Sequence, residues 1–155
     1  MTRTNAGILI LAAVGICSCN KTVETRLVSA IQRHLLNGDT CVVKMVEATD
    51  FKWDKMYYFP PSATQEEIEH ELGIKLSNYK CCSTMLAFKN AGALVHLEKH
   101  EYEPSDVADG TVYFKDATGM DVRREYTAET AVFFVRQVRS RKACFYELAQ
   151  MRQGQ

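Results

Sequence analysis

An apolar run, Ala6 to Ile16, stands near the start of the chain behind a short polar stretch carrying one positive charge, Arg3. It ends in Ile16-Cys17-Ser18-Cys19. A basic start, an apolar middle and a small residue before a cut are the layout of a secretory leader. The run falls well short of the roughly 20 apolar residues that a spanning helix needs. It therefore reads as an export address, residues 1–18, and removing it leaves 137 of the 155 residues to build the folded body. That length suits one domain, 19–155, with a core of its own. The domain is expected to fold in an oxidising, extracytoplasmic compartment.

The junction resembles the lipobox of bacterial lipoproteins. Ile16 stands three residues before Cys19 and the small Ser18 directly before it, while Cys17 takes a position where that family carries a small or aliphatic residue. The resemblance implies cleavage after Ser18, a diacylglycerol thioether on Cys19, and a membrane partner met through acyl chains. Each buried CH₂ contributes about 0.8 kcal/mol, so two or three chains hold stably. Asn20 follows the cysteine instead of the Asp that favours inner-membrane retention in the family. The implied destination is the periplasmic face of the outer membrane, with the inner membrane as the other possible site.

Charge and composition narrow the partners. The chain has 19 basic and 19 acidic residues, and losing Arg3 leaves a net of −1 with neutral histidines. No strong field is available to gather nucleic acid. An apolar fraction of 46% is that of a globular domain and argues against disorder. If Cys19 is acylated, Cys41, Cys81, Cys82 and Cys144 remain, and three pairings are open to them. A bond between the neighbours Cys81 and Cys82 would strain the backbone, so the expected disulfide joins one of them to Cys41 or Cys144. No CxxC and no Cys/His cluster at ligand spacing is present, so neither a metal nor a cofactor is expected.

Hydrophobic periodicity then orders the body. Val23, Leu27, Ile31 and Leu35, with Val28 and Leu36 beside them, predict a helix over Lys21–Asn37, capped by Thr22 and stopped at Gly38. Cys41–Ala48 and Asp50–Phe59 predict strands, the second with Phe51, Trp53, Tyr57 and Phe59 on its inner side. Pro60-Pro61 ends that strand. Ser62 with Gln65, or Thr64 with Glu67, predicts a capping box for a short acidic helix that closes at Leu72-Gly73. Trp53-Asp54, the aromatic strand and this acidic helix together resemble a motif of small bacterial lipoproteins. That resemblance implies no activity.

Ser83–Lys89 and Ala93–Glu101 predict a hairpin. Glu103–Gly110 reads as a loop, Thr111–Lys115 as a strand, and Asp116–Gly119 as a turn before a strand over Met120–Tyr126. Thr130–Arg139 and Ala143–Leu148 close the pattern. The expected fold is α+β: a single, mostly antiparallel sheet of six or seven strands with one longer N-terminal helix and one short one.

Catalytic signatures are lacking: there is no Gly-x-Ser-x-Gly elbow, no HExxH and no phosphate-cradling glycine loop. His96 and His100, on a strand at about 3.3 Å per residue, lie about 13 Å apart, too far to share one ion, and read as surface histidines on one polar face. Asp50 and Asp54 are as far apart and read as partners of nearby turns. Cys41 with His34, or Cys82 with His96, reads as core or disulfide cysteine before catalytic pair. The Glu66–Glu71 cluster reads as a solvated face matched to the helix dipole.

The expected function is therefore non-catalytic. The chain reads as an envelope lipoprotein that binds another protein as inhibitor, immunity factor or accessory, using Trp53, Tyr57 and the basic residues Arg136, Arg139 and Arg141 as its surface. The alternative is a small-molecule binder with an aromatic cleft around Trp53 and Tyr57. A cell-envelope hydrolase ranks below both.

Overall fold

A computed structural model describes residues 21–36, 38–101, 109–115, 124–141 and 143–151. Cys19 and the leader, residues 103–108 of the predicted loop and the turn 116–119 lie outside them, as do 120–123 of the strand expected to follow.

The first helix, α1, covers Val23–His34 and buries Val23, Leu27 and Ile31 of the expected stripe together with Ala30, while Val28 and Leu35 are partly buried. Thr22 caps it, its hydroxyl accepting from the Thr25 N–H at 3.1 Å. The helix stops short of Asn37. The Leu35 N–H makes the last helical bond, to the Ile31 carbonyl, and Leu36 is left 80% exposed instead of joining the buried stripe.

The strands form two sheets instead of the single one expected. In the first, β1 (Thr40–Lys44) lies beside β7 (Val132–Arg139), then β8 (Cys144–Gln150), then β5 (Val112–Lys115). Its pairs are antiparallel except β5 with β8, which is parallel. In the second, the order is β4 (Ala93–Glu101), β3 (Ser83–Asn90), β2 (Lys55–Phe59) and β6 (Arg124–Thr127), antiparallel throughout.

The chain changes sheet where a continuous strand was expected. Cys41–Ala48 breaks after Lys44 into a 3₁₀ turn, Met45–Ala48, because the Glu47 carboxylate accepts from the Lys44 N–H and offers the backbone a local partner. Residues 51–54 are not strand either. Trp53 Nε1 donates back to Thr49 Oγ1 at 2.9 Å, folding the indole inward. The break shifts the alternation. Trp53 and Met56 point between the sheets, whereas Tyr57 and Phe59 point the other way, under the second helix.

That second helix, α2, covers Gln65–Leu72. Of the two boxes offered by the sequence, Thr64 with Glu67 forms: the Thr64 N–H donates to Glu67 Oε2 at 2.7 Å and the Glu67 N–H to Thr64 Oγ1 at 3.3 Å. Gly73 closes it at φ 69°. Ile68 and Leu72 cover Tyr57, Phe59, Met85 and Ala87. The second sheet is thus buried on both faces, α2 on one side and α1 with the first sheet on the other. The main core fills the latter gap, with Leu27, Ile31, Met45, Phe88, Phe133 and Leu148 at its centre.

Candidate functional site

β4 carries His96, Glu98 and His100 at alternate positions, so all three side chains leave the strand on one face. That face is not the solvated one expected from the sequence. It meets the start of α1. Glu98 is 8% exposed, and its Oε2 accepts from the Val23 N–H at 2.7 Å while Oε1 accepts from the Glu24 N–H at 3.2 Å. A carboxylate on a distant strand therefore fills the positive end of the helix.

Two histidines flank it. His96 Nε2 lies 3.2 Å from Glu98 Oε2, with its ring stacked on Phe51 at 4.9 Å between centroids. His100 bridges two acids: Nδ1 is 2.8 Å from Glu24 Oε2, and Nε2 is 2.8 Å from Glu98 Oε1. The second contact lies off the N–H direction, so it is a charge contact and leaves the buried Nε2 without a true hydrogen bond. Glu24 Oε1 in turn accepts from the Val112 N–H at 3.3 Å, tying α1 to β5.

The charges are mutually fixed. Burial works against an ionised Glu98, yet His100, the Val23 and Glu24 N–H groups and His96 outweigh it and hold its pKa at about 2. Burial likewise works against a charged His100, but the contacts with Glu24 and Glu98 and their negative charges raise its pKa to about 9. At neutral pH an imidazolium sits between two carboxylates. Glu24, Glu98 and His100 also have ligand atoms within 4.8 Å of one another and would be the residues to hold a cation. A helix terminus and the ring's own charge already supply the positive partner there.

Beside this cluster the two sheets diverge around a cleft of about 320 Å³. Leu27, Tyr58, Leu86 and Phe114 form its apolar walls, and Glu24 and His100 its polar end. The Tyr58 and Phe114 rings pack against each other in its wall at 4.7 Å between centroids. A wider groove of about 450 Å³ at the other end of α1, lined by Gln32, Asp39, Gln137 and Arg139, is mostly polar and holds a solvent-exposed ion pair, Arg139 Nη2 to Asp39 Oδ1 at 3.9 Å.

The residues expected to form a surface do not converge. Trp53 is 8% and Tyr57 3% exposed, and they belong to different cores, so no aromatic cleft joins them. Arg136 is held by Glu147, with Nη2 at 2.7 Å, and Lys115 shares that carboxylate. Arg139, three residues along, leaves the strand on the opposite face and donates to Gln137 Oε1. Arg141 stands exposed after the end of β7.

The expected disulfide is not formed: Cys41, Cys81, Cys82 and Cys144 are free. β7 lies between the strands bearing Cys41 and Cys144, and Cys81 and Cys82 immediately precede β3 in the other sheet. The Cys–His pairs are not made either, since His34 contacts Glu47 at 2.7 Å and His96 contacts Glu98. Asp50 pairs with Arg26, and Asp54 accepts from the Ala91 N–H at 2.7 Å in the β3–β4 turn. Sequence reasoning missed Glu98 and Glu24. The alternation His96-x-Glu98-x-His100 was the available signal, because an acid between two histidines on one strand face gives them a shared partner.

No protein-family model, curated protein or solved structure matches the chain.

Proposed function

We propose that the chain is an exported, Cys19-tethered binding protein that holds a small amphipathic organic cation in the cleft between its sheets without turning it over. The observation that carries this reading is the convergence of Glu24 and His100, 2.8 Å apart, in the lining of a mostly apolar cavity of about 320 Å³. A few polar groups at one end of an apolar pocket of this size are what small-molecule sites have in common. Two carboxylates against one imidazolium leave one negative charge in excess, which the half-charge of the helix terminus offsets only in part. Rings at Tyr58 and Phe114 favour a cation over an anion for the same reason. Binding without turnover follows from the saturation of the cluster. A histidine kept protonated has no lone pair to act as base at neutral pH, and both Glu98 oxygens are committed to helix N–H groups.

Calorimetry with three probes that share a phenethyl body tests the reading: phenethylammonium, 2-phenylethanol and 3-phenylpropionate. The ammonium should bind tightest and the carboxylate weakest. Glu24→Gln should weaken the ammonium about tenfold, about 1.4 kcal/mol, and leave the alcohol unchanged. Silence from all three probes would remove the cleft as a ligand site. The tether has its own test, since Cys19→Ala should abolish acyl labelling and release the domain from membranes.

A second reading keeps a protein partner. The outer face of the first sheet carries Val42 directly opposite Phe134, 43% and 44% exposed, and neither helix packs there. An uncovered apolar pair on a sheet face suits an inhibitor, immunity or accessory role. Loss of a co-purifying envelope protein on Phe134→Arg would support it.

A further inference from the structure

The outer face of the first sheet extends beyond Val42 and Phe134. The register sets Val138 opposite Phe145, Arg136 opposite Glu147, and Glu147 beside Tyr113 of β5. Alternate positions of a strand share a face, so Phe145 and Tyr113 look outward with Val42 and Phe134. Their two rings meet edge-on at 5.3 Å between centroids. Among the described residues neither helix packs on this face. Exposed cations stand between the apolar groups: Lys44, Lys115 and Arg136. Glu147 answers two of them, lying 2.7 Å from Arg136 Nη2 and 2.9 Å from Lys115 Nζ, and its own side chain is only 16% exposed. Three cations against this one acid leave the face positive.

The far side of the molecule has the opposite sign. There α2 covers the second sheet, and its eight residues include Glu66, Glu67, Glu69 and Glu71 with no lysine or arginine. Lys75 offsets only Glu69. The domain is therefore polarised across its layers, basic on the outer face of the first sheet and acidic on α2.

The length of chain before α1 says which side meets a membrane. Val23 follows Cys19 by four residues, a reach of at most about 14 Å. Glu24, the next residue, accepts from the Val112 N–H of β5, the edge strand of the first sheet. The tether thus leaves the domain beside that edge, where Tyr113 already turns to the outer face. Packed sheet layers are about 10 Å apart, so four residues suffice to pass around the edge. Acyl chains on Cys19 would hold the β5 edge close to the headgroups. The adjoining outer face is apolar, ringed and basic, the combination that lies on an anionic lipid surface.

We propose that the outer face of the first sheet is a docking surface for an anionic lipid bilayer, on which the domain lies with α2 turned away. The inference rests on the Cys19 tether proposed above. Phe134, Phe145 and Tyr113 enter at headgroup level, and the stems of Lys115 and Arg136 lie beside them while their charged ends meet lipid phosphates.

The test uses the mature, acylated protein in phosphatidylcholine vesicles with brominated chains, with or without phosphatidylglycerol. Trp53 is the one native tryptophan and is buried, so it gives a constant background. In Phe134→Trp the new indole should lose about half its emission to the brominated chains, because a surface-lying face sinks about 5–10 Å into the headgroup boundary. Phosphatidylglycerol should deepen the loss, and Lys115→Gln with Arg136→Gln should cancel that gain. His70→Trp, on the exposed side of α2, should lose nothing. Circular dichroism should show each variant folded. A mature protein whose mass shows no acyl chains would remove the tether and this inference with it. An acylated, vesicle-bound Phe134→Trp protein that is not quenched would leave the tether and overturn the docking face. Equal quenching at positions 134 and 70, or an indole at 134 shielded by a co-purified envelope protein instead of by lipid, would overturn it as well.

Discussion

The two sheets bury their strands differently. β2 and β3 of the second sheet are covered on both faces, so Met56, Leu86 and Phe88 look toward α1 while Tyr57, Met85 and Ala87 look toward α2. β7 of the first sheet is covered on one face only: Phe133 and Val135 are buried, while Phe134 and Arg136 are exposed. A strand buried on both faces reads as a continuous apolar run, and one buried on a single face reads as an alternation. Thr130–Arg139, with its Phe133-Phe134 pair, reads as the most strand-like stretch of the chain, and β7 is an inner strand between β1 and β8, yet one of those rings faces solvent. An apolar run is evidence of burial on two faces only where something exists to cover the second.

The largest test of this contrast is Phe88→Ala. Phe88 is fully buried and meets both Phe51 and Trp53 edge-on at 5.3 Å, so its loss should cost about 3–5 kcal/mol in chemical denaturation. Glu98→Gln should cost about 2 kcal/mol, because an amide offers one acceptor and one donor where two helix N–H groups need acceptors.

The same residue gives the contrast a pH signature. Glu98 is lowered to about 2 in the fold, so its stabilisation is present above the ordinary carboxylate range and is lost as pH falls toward 2. His100 is raised to about 9, so its stabilisation is complete below its ordinary value of 6.5 and is lost as pH rises through 9. Denaturation midpoints should therefore fall on both sides of a plateau, and Glu98→Gln should flatten both limbs. A wild-type curve level from pH 7 to 10 would break the assignment. At the small end, Phe134→Ala should change stability by only about 0.5 kcal/mol. A loss near that of Phe88→Ala would show that the outer face of the first sheet is covered.

Much of the fold is legible before the structure. The α1 stripe from Val23 to Ile31, the Thr64–Glu67 box, Gly73 and the β3–β4 hairpin all depend on neighbours within a few positions, and the structure places each where the spacing did. The division into two sheets was not legible. It turns on Glu47 answering the Lys44 N–H and on Trp53 folding back to Thr49, two local bonds that compete with strand extension in a stretch whose β-branched and aromatic content favours strand. The candidate site was less legible still. Glu98 stabilises a helix 75 residues earlier in the chain, and no periodicity links an acid in one strand to the first turn of a distant helix. The aromatic surface expected at Trp53 and Tyr57 failed because the break at 51–54 turned one ring into each core.

The reach of Glu98 also bears on the order of assembly. Synthesis delivers α1 long before it delivers the acid that completes its first turn, so early in the life of the chain that turn has only Thr22 and water for company. Loops of this length close slowly relative to helix formation. The head of α1 should accordingly stay loose through the rate-limiting step and lock only when β4 docks, which would show as Glu98 substitutions that hasten unfolding while leaving the folding rate almost untouched.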